Sequence, residues 1–246
     1  MRSRFFCPFP LAAGATVTLP PAAAHHAIHV LKVGAGETAI LFDGHGGEWL
    51  APLQPIGTAA KAVLHATLTT FDARDSEPPL QVTLVQALPA SDKMDWVVQK
   101  AVELGVTCIQ PVISRRSVVR LAGERAERRV AHWRGIAIAA CEQTGRHRVP
   151  EIAPILDLPR YLAQAASTAN LRLICAPGAT SSLRQRPTPT TPLSLLIGPE
   201  GGWEDDELRA AQAAGCEPIT LGPRVLRTET AGLAALAAMM ALWGDL

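Results

Sequence analysis

The sequence predicts an α/β protein in which a small β-barrel, residues 1–74, precedes a larger domain, residues 75–246, built on a mainly parallel sheet. Three observations carry that expectation. Residues 1–70 form short runs with strand-like alternation, broken by glycine and proline. The polar, proline-containing stretch DARDSEPP (72–79) then interrupts the pattern as a linker does. Beyond it, short and nearly continuous apolar runs alternate with segments of helical period, as expected for strands covered on both faces.

Taken in order, Ala15 to Leu19 alternates like a strand, and AAAHHAIHVLKV (22–33) reads as one short helix. ETAILFDGHGGEWLAPL (37–53) reads as a hairpin: one strand ends at Phe42, Asp43 to Gly47 supply the turn and its positive φ angles, and a second strand follows. In the second half, LQVTLVQAL (80–88) is a strand. KMDWVVQKAVELG (93–105) sets Met94, Val97, Val98, Ala101 and Val102 on one helical stripe. VTCIQPVI (106–113) is a strand, and 124–144 a long, arginine-rich helix. A short strand near 152–155 leads to a helix near 159–168. LRLICA (171–176), LSLLIG (193–198) and EPITLG (217–222) are strands, with helices at 204–214 and 229–243 after the last two.

Composition excludes a disordered chain: 48% of the 246 residues are hydrophobic and 18% charged. The net charge of +1 conceals an uneven distribution, because residues 93–148 carry 11 basic against 5 acidic side chains. A local basic face of that kind suits a phosphate-bearing partner. The five cysteines are scattered without disulfide or zinc spacing, which fits a reducing cytosol. From Phe5 to Leu31 no acidic, lysine or arginine residue occurs, as in a signal peptide, yet Pro8, Pro10, Gly14, Pro20 and Pro21 break the run. The longest apolar helix candidate, Ala231 to Trp243, falls short of the ~20 residues a bilayer requires. A soluble, cytoplasmic protein without a membrane segment is the expectation. His25 and His29 stand one helical turn apart, but only Asp43 and His45 could join them, so no metal site is expected.

Two stretches carry the chemistry. LIGPEGGWEDDEL (196–208) and LGPRVLRTETAGLAAL (221–236) each run from an apolar strand through glycine and proline into a helix. Ligands of open α/β sheets bind beyond the carboxyl ends of strands, and glycines there let main chain approach a ligand closely. Such corners can also simply turn the chain; two of them, each with an acid and a threonine or tryptophan beside it, favour a ligand. Neither GxxxxGK[ST] nor GxGxxG is present, which argues against a P-loop and a dinucleotide fold.

RSRFF, HH followed by VLK, FDGHGGEW, KMDWVVQKAVELGV, RSVVR, EQTGRHRVP, IGPEGG and LGPRVLRTETA, in that order, resemble the bacterial ribosomal RNA uridine N3-methyltransferases of the SPOUT class. The resemblance spans nearly the whole chain, and the pair IGPEGG and LGPRVLRTET is its specific part. It implies a C-terminal SPOUT-type knotted α/β methyltransferase domain behind a PUA-like RNA-binding barrel, a homodimer, and 16S ribosomal RNA or the small ribosomal subunit as partner. It also implies S-adenosyl-L-methionine as cofactor, held by main chain around Ile197, Gly198, Glu200 and Gly202 and around Leu221, Gly222, Leu226, Thr228 and Thr230, with Cys175 as a third wall.

Uracil N3 is protonated at neutral pH, so its methylation needs a base or a positive charge on the neighbouring carbonyl oxygens. Arg227 is the candidate for the charge and Glu229 for the base, although the two would also fit as a structural pair. Arg115, Arg116, Arg120 and Arg146 are candidate RNA contacts within the basic segment. Arg2 and Arg4, with Phe5 and Phe6, could grip a nucleotide, although the phenylalanines would equally fill a barrel core. Lys32 stands where the family usually carries arginine; it keeps the charge and loses the bidentate geometry. The alternatives are ribose 2′-hydroxyl or transfer RNA base methylation by the same class, and a non-catalytic ribosome-assembly factor.

Overall fold

A computed structural model of the chain describes residues 2–57, 63–90, 92–165 and 170–246. The chain forms two compact units, one of residues 1–77 with 141–149, the other of residues 78–140 with 150–246.

The first unit is built on β1 (Arg4–Phe6), β2 (Thr16–Thr18), β3 (Thr38–Phe42), β4 (Glu48–Ile56), β5 (Val63–Thr67) and β6 (Thr70–Asp72). Their order is β1-β3-β4-β5-β2, with β6 also on β4. The long β4 serves both halves: its first residues pair with β3 and its last with β5, both antiparallel. The hairpin is where the sequence places it, with Gly44, Gly46 and Gly47 all at positive φ. At Gly47 a side chain is impossible, because a Cβ would lie 2.4 Å from the Phe71 ring. The expected helix is α1 (Pro21–His25) continuing as a π-helical turn over His26–Val30. It stops at Lys32, whose φ of 54° makes it the one non-glycine residue in the left-handed region among those described. Alternation buries Phe5, Leu41, Leu53 and Leu64 together, with Ala24 and Ala27 of the helical segment against them.

Polarity placed the boundary at 74/75, whereas the first unit extends to Glu77 and includes 141–149. The physical reason is charge pairing. Arg146 donates from Nε to both carboxylate oxygens of Glu77, at 3.2 and 3.1 Å, and Arg148 donates to Asp75 at 3.3 Å. His147 is buried between Ser76, whose N–H donates to Nδ1 at 3.3 Å, and Glu48, 2.9 Å from Nε2.

The second unit contains β7 (Val82–Ala87), α2 (Lys93–Glu103), β8 (Cys108–Ile113), most of α3 (Gly123–Thr144), β9 (Glu151–Ile152), β10 (Leu156–Asp157) and α4 (Leu158–Ala165). It continues with β11 (Leu171–Cys175), β12 (Leu193–Ile197), α5 (Asp205–Ala213), β13 (Glu217–Ile219) and α6 (Thr228–Trp243). The expected strand near 152–155 is the pair β9 and β10. Residues 166–168 of the expected helix lie outside the described residues.

All seven strands run parallel, in the order β10-β8-β7-β12-β11-β13 with β9 on β8. The carboxyl ends of β7, β12 and β11 are therefore neighbours, and the chain segments that leave them converge on one edge. Helix α6 is apolar all round because it packs against α2 on one side and against β12 and β7 on another. Gly232 permits that approach: a Cβ there would stand 3.2 Å from Gln86 Oε1 and 3.3 Å from Leu84. Among the described residues, no helix is long and apolar enough to cross a membrane.

Candidate active site

The first corner begins at Ile197, the buried last residue of β12, and the second follows β13 and enters α6. They meet. Thr228, buried in the first turn of α6, donates from Oγ1 to the Gly198 carbonyl at 2.5 Å and accepts from Gln86 Nε2 at 2.9 Å. The Trp203 indole closes the floor: it lies 3.2 Å from where a Gly198 Cβ would be, and Nε1 donates to the Cys175 carbonyl at 3.2 Å. Burial pushes the Cys175 thiol up to about 12, so at neutral pH it is an uncharged wall and not a nucleophile.

Gly202 and Gly222, at φ 69° and 114°, occupy the left-handed region, and a Cβ on either would meet nothing within 4 Å. Both therefore border open space at low steric cost. Gly222 is held by its own turn, its N–H donating to Thr220 Oγ1 at 3.2 Å. Leu221 and Leu226 are half-buried, and Thr230 is exposed. Two clefts lie beside the corners. One, of about 570 Å³, runs along Ala176 to Ser181 to Arg186 and Gln212. The other, of about 220 Å³, lies between Ile113, Arg115, Arg120, Leu158 and Glu207. Neither of these two clefts is lined by residues 197–202 or 221–230.

Arg227 and Glu229, the candidates for oxyanion charge and for base, do not form the structural pair that was the alternative reading. Arg227 is exposed and has no ion-pair or side-chain hydrogen-bond partner among the described residues. Glu229 faces Lys93 instead, Oε2 lying 3.3 Å from the ammonium. The same ammonium donates to Glu200 Oε1 at 3.1 Å, and that oxygen also accepts from the Ala90 N–H at 3.0 Å. Burial acts to raise the Glu200 carboxyl, but the bonds from Ala90 and Lys93 outweigh it and hold it below the usual range. Sequence reasoning missed Lys93 as a site residue; its place in the first turn of α2, on the side facing the glycine corner, depends on the sheet order.

The loop after β8 carries Arg115, Arg116 and Arg120, all exposed. Arg116 donates to the Gly201 carbonyl at 2.8 Å, which puts its guanidinium on the rim of the first corner. Arg115 pairs with Glu204 at 3.0 Å, and Arg120 donates to the Arg115 carbonyl at 3.2 Å. A second missed residue anchors this loop. Glu207, buried at the start of α5, accepts from the Arg115 and Glu204 N–H groups, each at 2.9 Å. The run WEDDE, with glutamate at the third helical position, is the capping pattern that signals it.

Arg4 and Arg146 are placed otherwise than expected for RNA contacts. Arg4 is ion-paired to Glu48 with its side chain 9% exposed, and Arg146 to Glu77 with 6% exposed, so the charge of each is neutralised inside the first unit. Phe5 is core, at 2% exposure, whereas Phe6 is half-buried against Phe42. Arg2 and Lys32 are exposed.

The residues around the corners suit an adenosine-containing cation. Leu221, Leu226 and Cys175 offer half-buried apolar surface, the corner peptides offer main-chain groups, and Glu200 and Glu229 offer negative charge. A parallel α/β unit with such a corner pair, behind a small β unit, has the architecture of an RNA-modifying transferase. An RNA methyltransferase domain matches residues 76–240, and an RNA methyltransferase PUA domain matches residues 19–58. The ribosomal RNA small subunit methyltransferase E of Synechocystis sp. is 34% identical over 233 residues, 93% of this chain and 74% of that protein. The structure of the Neisseria gonorrhoeae enzyme of the same name, bound to S-adenosyl methionine, superposes with a TM-score of 0.91 at 41% identity over the full length of both chains. A Legionella pneumophila methyltransferase in complex with the same cofactor gives 0.93 at 34% identity, again over both full chains. The chain belongs to the ribosomal RNA small subunit methyltransferase E family.

Proposed function

We propose that this protein methylates N3 of a uridine in 16S ribosomal RNA with S-adenosyl-L-methionine as donor, acting in the cytoplasm as a homodimer. The observation that carries the reading is the seam at Thr228 and Gly198, which brings both glycine corners to one place. Family membership and the cofactor named in the two similar structures support the donor.

The bound cofactor would supply a methyl group activated on a sulfonium. The chain's task is to orient the two reactants and stabilise the charge that develops. Residues Ile197, Gly198, Glu200 and Gly202, with Leu221, Gly222, Leu226, Thr228 and Thr230, would hold the donor, and Cys175 would back it. Arg227, exposed and without a carboxylate partner among the described residues, would stabilise the negative charge left on the uracil carbonyl oxygens when the N3 proton departs. Arg116 and its neighbours Arg115 and Arg120 would bind phosphate at the rim, and Arg2 and Lys32 would meet RNA from the first unit. The trefoil threading belongs to the same reading, as does dimer formation by α2 and α6, on which Trp96 and Leu242 stand exposed.

Mass mapping of small-subunit ribosomal RNA from cells with and without the gene tests the reaction. The reading expects one N3-methyluridine to vanish in the deletion and to return with the gene. Loss of a ribose methyl group, or an unchanged map, would contradict it.

A further inference from the structure

We propose that Lys93 is the latch that couples the two cofactor corners, and that Glu229 serves this latch and not as the base that takes the uracil proton. The inference rests on the reading of those corners as a methyl-donor site.

Three elements meet at one ammonium. Lys93 sits in the first turn of α2; it reaches Glu200 of the first corner at 3.1 Å and Glu229 in the first turn of α6 at 3.3 Å. All three side chains are partly shielded, with exposures of 31%, 30% and 17%. Shielding strengthens a charge pair over one in open water. Glu200 is itself fixed, because its Oε1 also takes the Ala90 N–H at 3.0 Å, a bond that ties the first corner to the segment that follows β7. Removing the ammonium would leave two carboxylates facing each other without their shared counter-ion, and like charges would part the corners.

The same geometry bears on Glu229. A general base must have its carboxylate turned to the proton it takes and lose negative charge in doing so. Glu229 Oε2 lies 3.3 Å from the ammonium as an ion pair and accepts no hydrogen bond among the described residues, so taking a proton would give up that charge attraction. Glu200 and Glu229 together outnumber the one ammonium, so the latch retains a net negative charge beside the corners. That charge favours a cationic donor over its neutral demethylated product. Arg227 and Arg224, both exposed and without an ion-pair partner among the described residues, then remain the cations of the second corner, and Arg227, next to Thr228, is the one assigned to the uracil anion.

The test is a calorimetric titration of the full-length protein with S-adenosyl-L-methionine, beside steady-state turnover on small-subunit RNA. Lys93→Met should weaken cofactor binding about tenfold or more, and Lys93→Arg, which keeps the charge, should restore most of it. Glu229→Gln should also weaken cofactor binding, and in the Lys93→Met background it should cause no further loss and recover part of the affinity, since it removes one of the two repelling carboxylates. Circular dichroism of each variant establishes that it is folded. Unchanged cofactor affinity in folded Lys93→Met would overturn the latch. So would a Glu229→Gln variant that binds cofactor like the parent yet loses turnover by orders of magnitude, since that is the behaviour of a base. Absence of cofactor binding in the parent protein would instead overturn the donor-site reading.

Discussion

Arg4 and Arg146 of the N-terminal unit and the arginines of the loop after β8 are alike in type and opposite in circumstance. Arg4 and Arg146 are buried against Glu48 and Glu77, whereas Arg115, Arg116 and Arg120 stand exposed, Arg116 on the rim of the glycine corner. A charge tally counts all five equally. What separates them is the distance to a buried carboxylate, which is fixed by chain segments far apart in sequence. The difference teaches that a basic segment divides into residues that hold the fold and residues that remain available to a partner.

The largest effect should come from the buried pair. Arg146→Ala leaves Glu77 shielded and without its counter-ion, a change that costs about 3–5 kcal/mol. Thermal or urea unfolding should register it as early loss of the N-terminal unit; unfolding like the parent's would erase the contrast. Next in size is Arg227→Ala, expected to lower turnover about 10²–10³-fold while leaving cofactor affinity nearly unchanged, as loss of an anion-stabilising donor does. Steady-state kinetics beside calorimetry would check it, and normal turnover would remove Arg227 from the site. The smallest effect is Arg116→Ala, which should leave unfolding unchanged, weaken RNA binding and reduce the slope of log affinity against log salt by about one. An unchanged slope would place Arg116 with the structural arginines.

Much of the fold was legible because local pattern and burial agree. The stripe of Met94, Val97, Val98, Ala101 and Val102 is the buried face of α2, and the glycines of 44–47 turn the hairpin. The corners were legible as glycine and proline at the ends of apolar strands. Their meeting through Thr228 and Gly198 is a contact across 30 residues that no local pattern specifies. The same holds for Lys93, which lies 107 positions from Glu200. The alternative of a structural Arg227–Glu229 pair followed from adjacency in sequence, but Arg227 is the cap residue before α6 and Glu229 lies in its first turn, where α2 offers Lys93. The boundary at 74/75 followed polarity, whereas Asp75 and Glu77 are polar because they pair with Arg148 and Arg146.

The central claim is that the corners at 197–202 and 221–230 form one methyl-donor site. Calorimetric titration with S-adenosyl-L-methionine tests it most directly, comparing the parent chain with a Gly202→Val, Gly222→Val double variant. Both glycines hold left-handed φ angles that valine resists. The account predicts one cofactor bound per parent chain and a loss of affinity in the folded variant. Parent protein that binds no cofactor, or a folded variant that binds it undiminished, would contradict the account.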